Sequence, residues 1–133
     1  MRRIFATAAL IFVLLTGCVS DATIRAAPGQ LPGTYYSGDG LGRMVTVTLQ
    51  PDGTYFGDWQ GCLGVYGEAN GTWKLQGDQI IFASTDEHDL LVGYLRRATT
   101  IQHHGRLGFA RAQDVANDKI SEDLVFFKKP EPR

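Results

Sequence analysis

Hydrophobic and polar positions alternate most clearly between Met44 and Trp59. Val45, Val47 and Leu49 fall on one side of an extended chain and Thr46 and Thr48 on the other, a period of two that predicts a half-buried β-strand. Gln50-Pro51-Asp52-Gly53 follows. In such a turn proline presets φ, aspartate caps locally and glycine takes the positive φ. Thr54 to Trp59 returns as the second strand of a hairpin, with Tyr55 and Trp59 on one face and Phe56 on the other. A short phrase recurs around this hairpin: Gly33-Thr34-Tyr35-Tyr36, Gly53-Thr54-Tyr55-Phe56 and Gly71-Thr72-Trp73-Lys74, spaced by 20 and then 18 residues. That spacing suits one hairpin per repeat and predicts an antiparallel meander.

The same reading continues along the chain. Gly64 to Gly67 and Gly71 to Leu75 are predicted as the third and fourth strands, and Gln76-Gly77-Asp78 turns into Gln79 to Ala83. A polar turn is expected at Ser84 to Asp89. Leu90 to Ala98, Thr99 to His103, Arg106 to Ala110 and Asp123 to Lys128 are expected as further strands. Arg111 to Lys119 is expected as a short helix, because Ala112, Val115 and Ala116 share a side. Seven to nine short sequential strands lose their edges best by closure. The expected fold class is therefore all-β, an antiparallel meander closing into a small lipocalin-like barrel or a flattened sandwich. The expected domain is 33–129, with a tail at 130–133. Residues 18–32 show no sustained periodicity and contain Pro28 and Pro32, which reads as a flexible tether.

Composition changes the picture at the start of the chain. Met1-Arg2-Arg3 precedes Ile4 to Leu15, an uncharged run broken only by Thr7. It is too short to span a bilayer core, which takes about 20 residues, and has the layout of a signal peptide over residues 1–17. The run ends in Leu15-Thr16-Gly17-Cys18, and here the chain resembles a bacterial lipoprotein precursor, whose lipobox is an aliphatic residue, a small residue, Gly or Ala, then Cys. The resemblance implies a diacylglycerol on the Cys18 thiol, cleavage after Gly17 and an N-acyl chain such as palmitate on the new amine. No other cofactor is expected. Two or three acyl chains make a lasting anchor where one does not. Val19 and Ser20 follow Cys18 without an aspartate, which by the same resemblance points to the outer membrane, facing the periplasm.

Without residues 1–17 the chain carries 11 Lys plus Arg against 14 Asp plus Glu. A net charge of −3 with no basic patch argues against a nucleic-acid partner. The pairs Arg96-Arg97 and Lys128-Lys129 read as solvated surface. With Cys18 lipidated, Cys62 has no intramolecular disulfide partner and reads either as a buried small hydrophobe or as a reactive thiol or intermolecular link.

From Gly33 to Phe82, the series Gly-Thr-Tyr, aliphatic strand, Pro-Asp-Gly-Thr-Tyr, Gly-Thr-Trp and Gly-Asp before Ile-Ile-Phe is similar to lipocalin-like domains. It also looks like the N-terminal barrel of the copper-resistance lipoproteins of the outer membrane. That barrel carries a Cys-x-x-Cys pair, whereas Gly61-Cys62-Leu63-Gly64 offers one thiol, so metal sensing is not implied. Lipoprotein inhibitors of lysozyme carry Ser-Gly, two residues and Tyr. Ser37-Gly38-Asp39-Gly40 leads instead to Leu41, and the motif is incomplete.

Candidate chemistry is sparse. His88 lies among Asp86, Glu87 and Asp89, and His103 and His104 are adjacent. Neighbours on a strand point to opposite faces, so the last two are not expected to chelate together and no metal site is expected. Cys62 with His103 as its base matches no nucleophile motif, so no catalytic residue is assigned and the chain is not expected to be an enzyme. The aromatics Tyr35, Tyr55, Trp59, Tyr66 and Trp73 either fill the barrel or line a site for a small apolar ligand. The expected function is a membrane-anchored small-ligand binding or sensing module. The alternative is an inhibitor or immunity lipoprotein that binds an envelope protein and neutralises a hydrolase. A lined cavity favours the first; a filled barrel with a protruding or charged loop, Ser84 to Asp89 foremost, favours the second.

Overall fold

The structure is a computed structural model that describes residues 22–117 and 120–133. The signal peptide, the lipobox with Cys18 and the start of the tether lie outside the described residues.

Nine strands are found among the described residues: β1 (Ala22–Thr23), β2 (Gly33–Gly38), β3 (Met44–Leu49), β4 (Thr54–Gly61), β5 (Gly64–Gln76), β6 (Gln79–Asp89), β7 (Arg97–His103), β8 (Arg106–Arg111) and β9 (Phe126–Lys128). A 3-10 turn (Pro28–Gln30) precedes β2, and a short helix α1 (Ala112–Ala116) follows β8. Strands β2 to β8 pair antiparallel in chain order, and β9 lies between β8 and β2. An eight-strand antiparallel barrel thereby closes, which satisfies both edges of the meander. β1 pairs with β7 through Ala22 with Gln102 and Thr23 with Ile101, and runs in from below.

The connections alternate between two ends. Turns at 50–53, 77–78 and 104–105 mark the bottom, and the connections 39–43, 62–63, 90–96 and 112–125 mark the top. The hairpin of β3 and β4 has the expected register, Leu49 opposite Tyr55 and Val45 opposite Trp59. In all three copies of the recurring phrase the third residue, Tyr35, Tyr55 or Trp73, belongs to the interior cluster.

Three expected boundaries are corrected. The third and fourth strands are one, β5, which runs through Gly67 and Gly71. Those glycines face backbone: a Cβ on Gly67 would stand 2.9 Å from the amide nitrogen of Leu91. Ser84 to Asp89 is no turn but the upper half of β6, displaced by a register shift at Asn70/Gly71. Leu90 to Arg96 is no strand; β7 begins at Arg97.

Side chains fill the barrel. Phe109 stacks on Phe126 with centroids 4.8 Å apart and meets Tyr35 at 4.9 Å, while Tyr55 meets Phe82 edge-on at 5.0 Å. The bottom is closed by the segment before β2, where Ala26 and Leu31 join the core and Leu31 is fully buried. The segment just before β2 therefore packs against the barrel, because its Ala26 and Leu31 supply the floor. The top is closed by the 90–96 connection, whose Leu91 and Leu95 turn inward over Gly57, where a Cβ would lie 3.5 Å from Leu95 Cδ1. A second cluster of Ile101, Ala110, Val125 and Phe127 lies outside the wall, covered by Val115 of α1 and Ile120. This sector of β7 is buried on both faces, and its buried run Ala98-Thr99-Thr100-Ile101 does not alternate with exposed positions.

Candidate functional site

Of the five expected ligand-binding aromatics, Tyr35, Tyr55, Trp59 and Trp73 belong to or pack against the interior cluster, and Tyr66 stands outside it. Tyr35 is fully buried and donates its hydroxyl hydrogen to Leu31 O at 2.7 Å; burial pushes its phenol up. Tyr55 is buried with its hydroxyl 2.8 Å from Ser84 Oγ, and burial likewise raises its pKa. Trp73 closes the floor, donating Nε1–H to Gln50 O at 2.9 Å. Trp59 stands at the top against Tyr94, 5.3 Å between centroids. Tyr66 lies over the backbone of Gly61, out of phase with the inward Gly67 and Ala69 of β5.

At the top mouth the structure gathers residues that sequence spacing did not connect. Arg43 donates to Ser37 Oγ at 3.0 Å, to Asp123 O at 2.6 Å and to the Tyr94 hydroxyl at 2.6 Å, and its guanidinium lies 5.4 Å from the Trp59 ring centre. Arg111 stacks on the other ring, 4.1 Å from the Tyr94 centroid, and forks onto Asp114. Tyr94 is thus held between two cations. One signal was legible: Arg43 is in phase with the inward Val45 and Val47.

A second network pins the top connection to the barrel. Glu87 accepts from Arg96, from Ser84 Oγ at 2.5 Å and from the Gly93 amide at 3.0 Å. The Arg96 hydrogen bond, with help from Ser84 and Gly93, holds the Glu87 carboxyl down at about 2. This latch and the buried Leu91 and Leu95 fix the cap.

The tips around the mouth are apolar and exposed. Leu41 is 83% and Leu63 91% exposed, with Val65, Leu90 and Val92 also out in solvent. The thiol of Cys62 donates to Leu41 O at 3.2 Å, so the first two tips touch. Cys62 is exposed, which overturns its reading as a buried hydrophobe. The Leu41 loop is built rigidly: Asp39 Oδ1 accepts from the amides of Leu41, Gly42 and Arg43 at 2.8, 3.0 and 3.0 Å, which pulls its carboxyl down to about 2. Single leucines set among glycines, Gly40-Leu41-Gly42 and Leu63-Gly64, were the readable sign of these tips.

Elsewhere, a depression of about 490 Å³ opens beside Tyr36, Arg106, Phe127 and Lys129 on the outer wall, and one of about 460 Å³ opens beside Glu87 and Arg96. His103 and His104 do not point apart as expected. His104 takes a left-handed φ of 48° in the bottom turn, which brings the two rings to 4.2 Å. Among the described residues no group of three or more His, Cys, Asp or Glu is placed to hold a metal ion. Compared with known protein families, curated proteins and solved structures, the chain matches none.

Proposed function

We propose that this chain is a lipid-anchored protein of the bacterial outer membrane, facing the periplasm, that acts by binding through its surface and not by catalysis. The anchor rests on the lipobox resemblance at Leu15-Thr16-Gly17-Cys18, with a diacylglycerol and an N-acyl chain on Cys18. The barrel is compatible with a lipocalin-like binding module, but one observation favours its surface over its interior. Tyr35, Phe82, Phe109 and Phe126 occupy the centre, and Leu31 below and Leu91 and Leu95 above close it. A small apolar ligand needs a hollow that these side chains take up. The envelope-protein reading, an inhibitor or immunity lipoprotein, is therefore preferred to the small-ligand carrier.

Native mass spectrometry of the full chain, extracted from membranes in mild detergent, tests both halves. The expected result is a polypeptide beginning at Cys18 with acyl mass added, either bare or holding another polypeptide. An uncleaved, unacylated chain overturns the anchor. A stoichiometric small molecule that stays with the folded chain overturns the surface reading.

A further inference from the structure

The geometry points to the top of the barrel as a docking surface for a cationic protein, with Leu41, Leu63 and Leu90 as apolar contacts and Asp58, Glu68 and Asp86 as the charge that draws the partner in. This rests on the surface-binding reading and adds where the partner sits and what its chemistry is.

Among the described residues, six large hydrophobics are strongly exposed, and all but Phe56 belong to the top tips. Scattered apolar residues on a soluble surface need no explanation, whereas a gathered set marks an interaction site. These are gathered: the Cys62 thiol rests on Leu41 O, and the Leu90 amide donates to Tyr66 O at 3.0 Å, beside Val65. The Asp39 turn holds the backbone of the Leu41 tip by three hydrogen bonds, which lowers the cost of ordering it on binding.

Charge selects the occupant. On the outer face just below the tips, Asp58 of β4 stands directly opposite Glu68 of β5, and Glu68 opposite His88 of β6, whose ring is 3.0 Å from Asp86. Like charges opposite one another on neighbouring strands weaken a sheet, and although Asp58 accepts from Gln60 Nε2 at 2.7 Å, Asp58 and Glu68 repel each other across the β4–β5 pair. These acids suit a positive partner. A second copy would set the same acids face to face across a two-fold axis, and an anionic lipid surface would be repelled. β1 pairs with the bottom end of β7, so the chain enters the barrel at the end opposite the tips.

The test places a photo-crosslinking residue at position 63 of the full chain in the envelope of living cells, with the same residue at Gln76 at the bottom end of β5 and at Lys129 on the outer wall for comparison. The expected result is a discrete adduct from position 63 alone, to a basic protein. Its yield should fall at least about tenfold in Asp58→Lys/Glu68→Lys, fall less in Asp58→Asn/Glu68→Gln, and hold in Gln76→Lys, with the fold of each checked by circular dichroism. A species of twice the chain mass, a lipid adduct, a yield indifferent to charge reversal, or no adduct at position 63 overturns the proposal. Adducts only at Gln76 or Lys129 overturn it while leaving surface binding intact. Adducts at none of the three, with a small molecule retained in the native mass, overturn both readings.

Discussion

The two ends of this barrel are built in opposite ways. At the bottom the turns are short, Trp73 donates to Gln50 O in one of them, and the closing segment is tied through its carbonyls: Tyr35 to Leu31 O, Thr100 Oγ1 to Ile24 O and Lys128 to Gln30 O. At the top all connections but 62–63 are longer, the latches are side-chain ion pairs and guanidinium stacks, and leucines point into solvent. A closed barrel needs both ends stopped to exclude water from its core. Only the lower stop is built purely for that purpose; the upper one closes the core with Leu91 and Leu95 and turns Leu41, Leu63 and Leu90 outward.

The contrast is broken most forcefully by one substitution made at each end. Leu31→Ala, in the floor, removes a fully buried side chain and should cost about 2–5 kcal/mol by urea denaturation, the usual range for a core leucine. A loss below about 1 kcal/mol would mean that the floor is not packed, and that the chain before β2 is a tether as its sequence suggested.

That floor shows where the sequence stopped being legible. The β3–β4 hairpin was readable because its pattern is local: alternation, a Pro-Asp-Gly turn, alternation again. Leu31 has no such neighbours, and it is buried in a cluster with residues distant in the chain, Phe109 and Phe126 among them. Glycines were read as punctuation at Gly67 and Gly71, yet there they let β5 approach the backbone of β6 and the cap. Over Leu90 to Ala98 the sequence predicts a further strand, where the structure has a connection up to Arg96. The spacing of Leu91 and Leu95 inward against Leu90 and Val92 outward is that of a cap, and only the mouth beneath it gives it meaning. Arg43, Tyr94 and Arg111 meet by barrel closure, which no local pattern reports.

A smaller effect separates the latch from the floor by pH. The Glu87 carboxyl titrates at about 2 in the folded chain against 4.5 for an ordinary glutamate. A depressed folded value adds stability above the unfolded value, and that stability is lost as pH falls through the folded one. The latch should therefore hold fully above pH 4.5 and weaken from there towards pH 2. Glu87 is only 11% exposed but its partner Arg96 is 54% exposed, so screening limits the contribution to about 1 kcal/mol. Glu87→Gln should lose that amount at pH 7 and flatten the stability curve between pH 4.5 and 2. An unchanged acid limb in Glu87→Gln would place the acid sensitivity on other carboxylates.

The smallest expected effect on stability is also the sharpest comparison. Leu63→Ala repeats the Leu31→Ala change at the other end, on a side chain 91% exposed. Nothing packs on Leu63 that its removal would leave as a cavity, so the urea midpoint should move by less than about 0.5 kcal/mol. Under the proposed docking, this leucine, on a tip joined to Leu41 through the Cys62 thiol, packs against a partner and not against the barrel. If Leu63→Ala destabilises by as much as Leu31→Ala, the tip folds back onto the barrel and the top is a second floor. If stability holds while the position-63 neighbourhood loses its crosslinked partner, the two ends divide the work: the bottom keeps the barrel closed and the top makes its contacts.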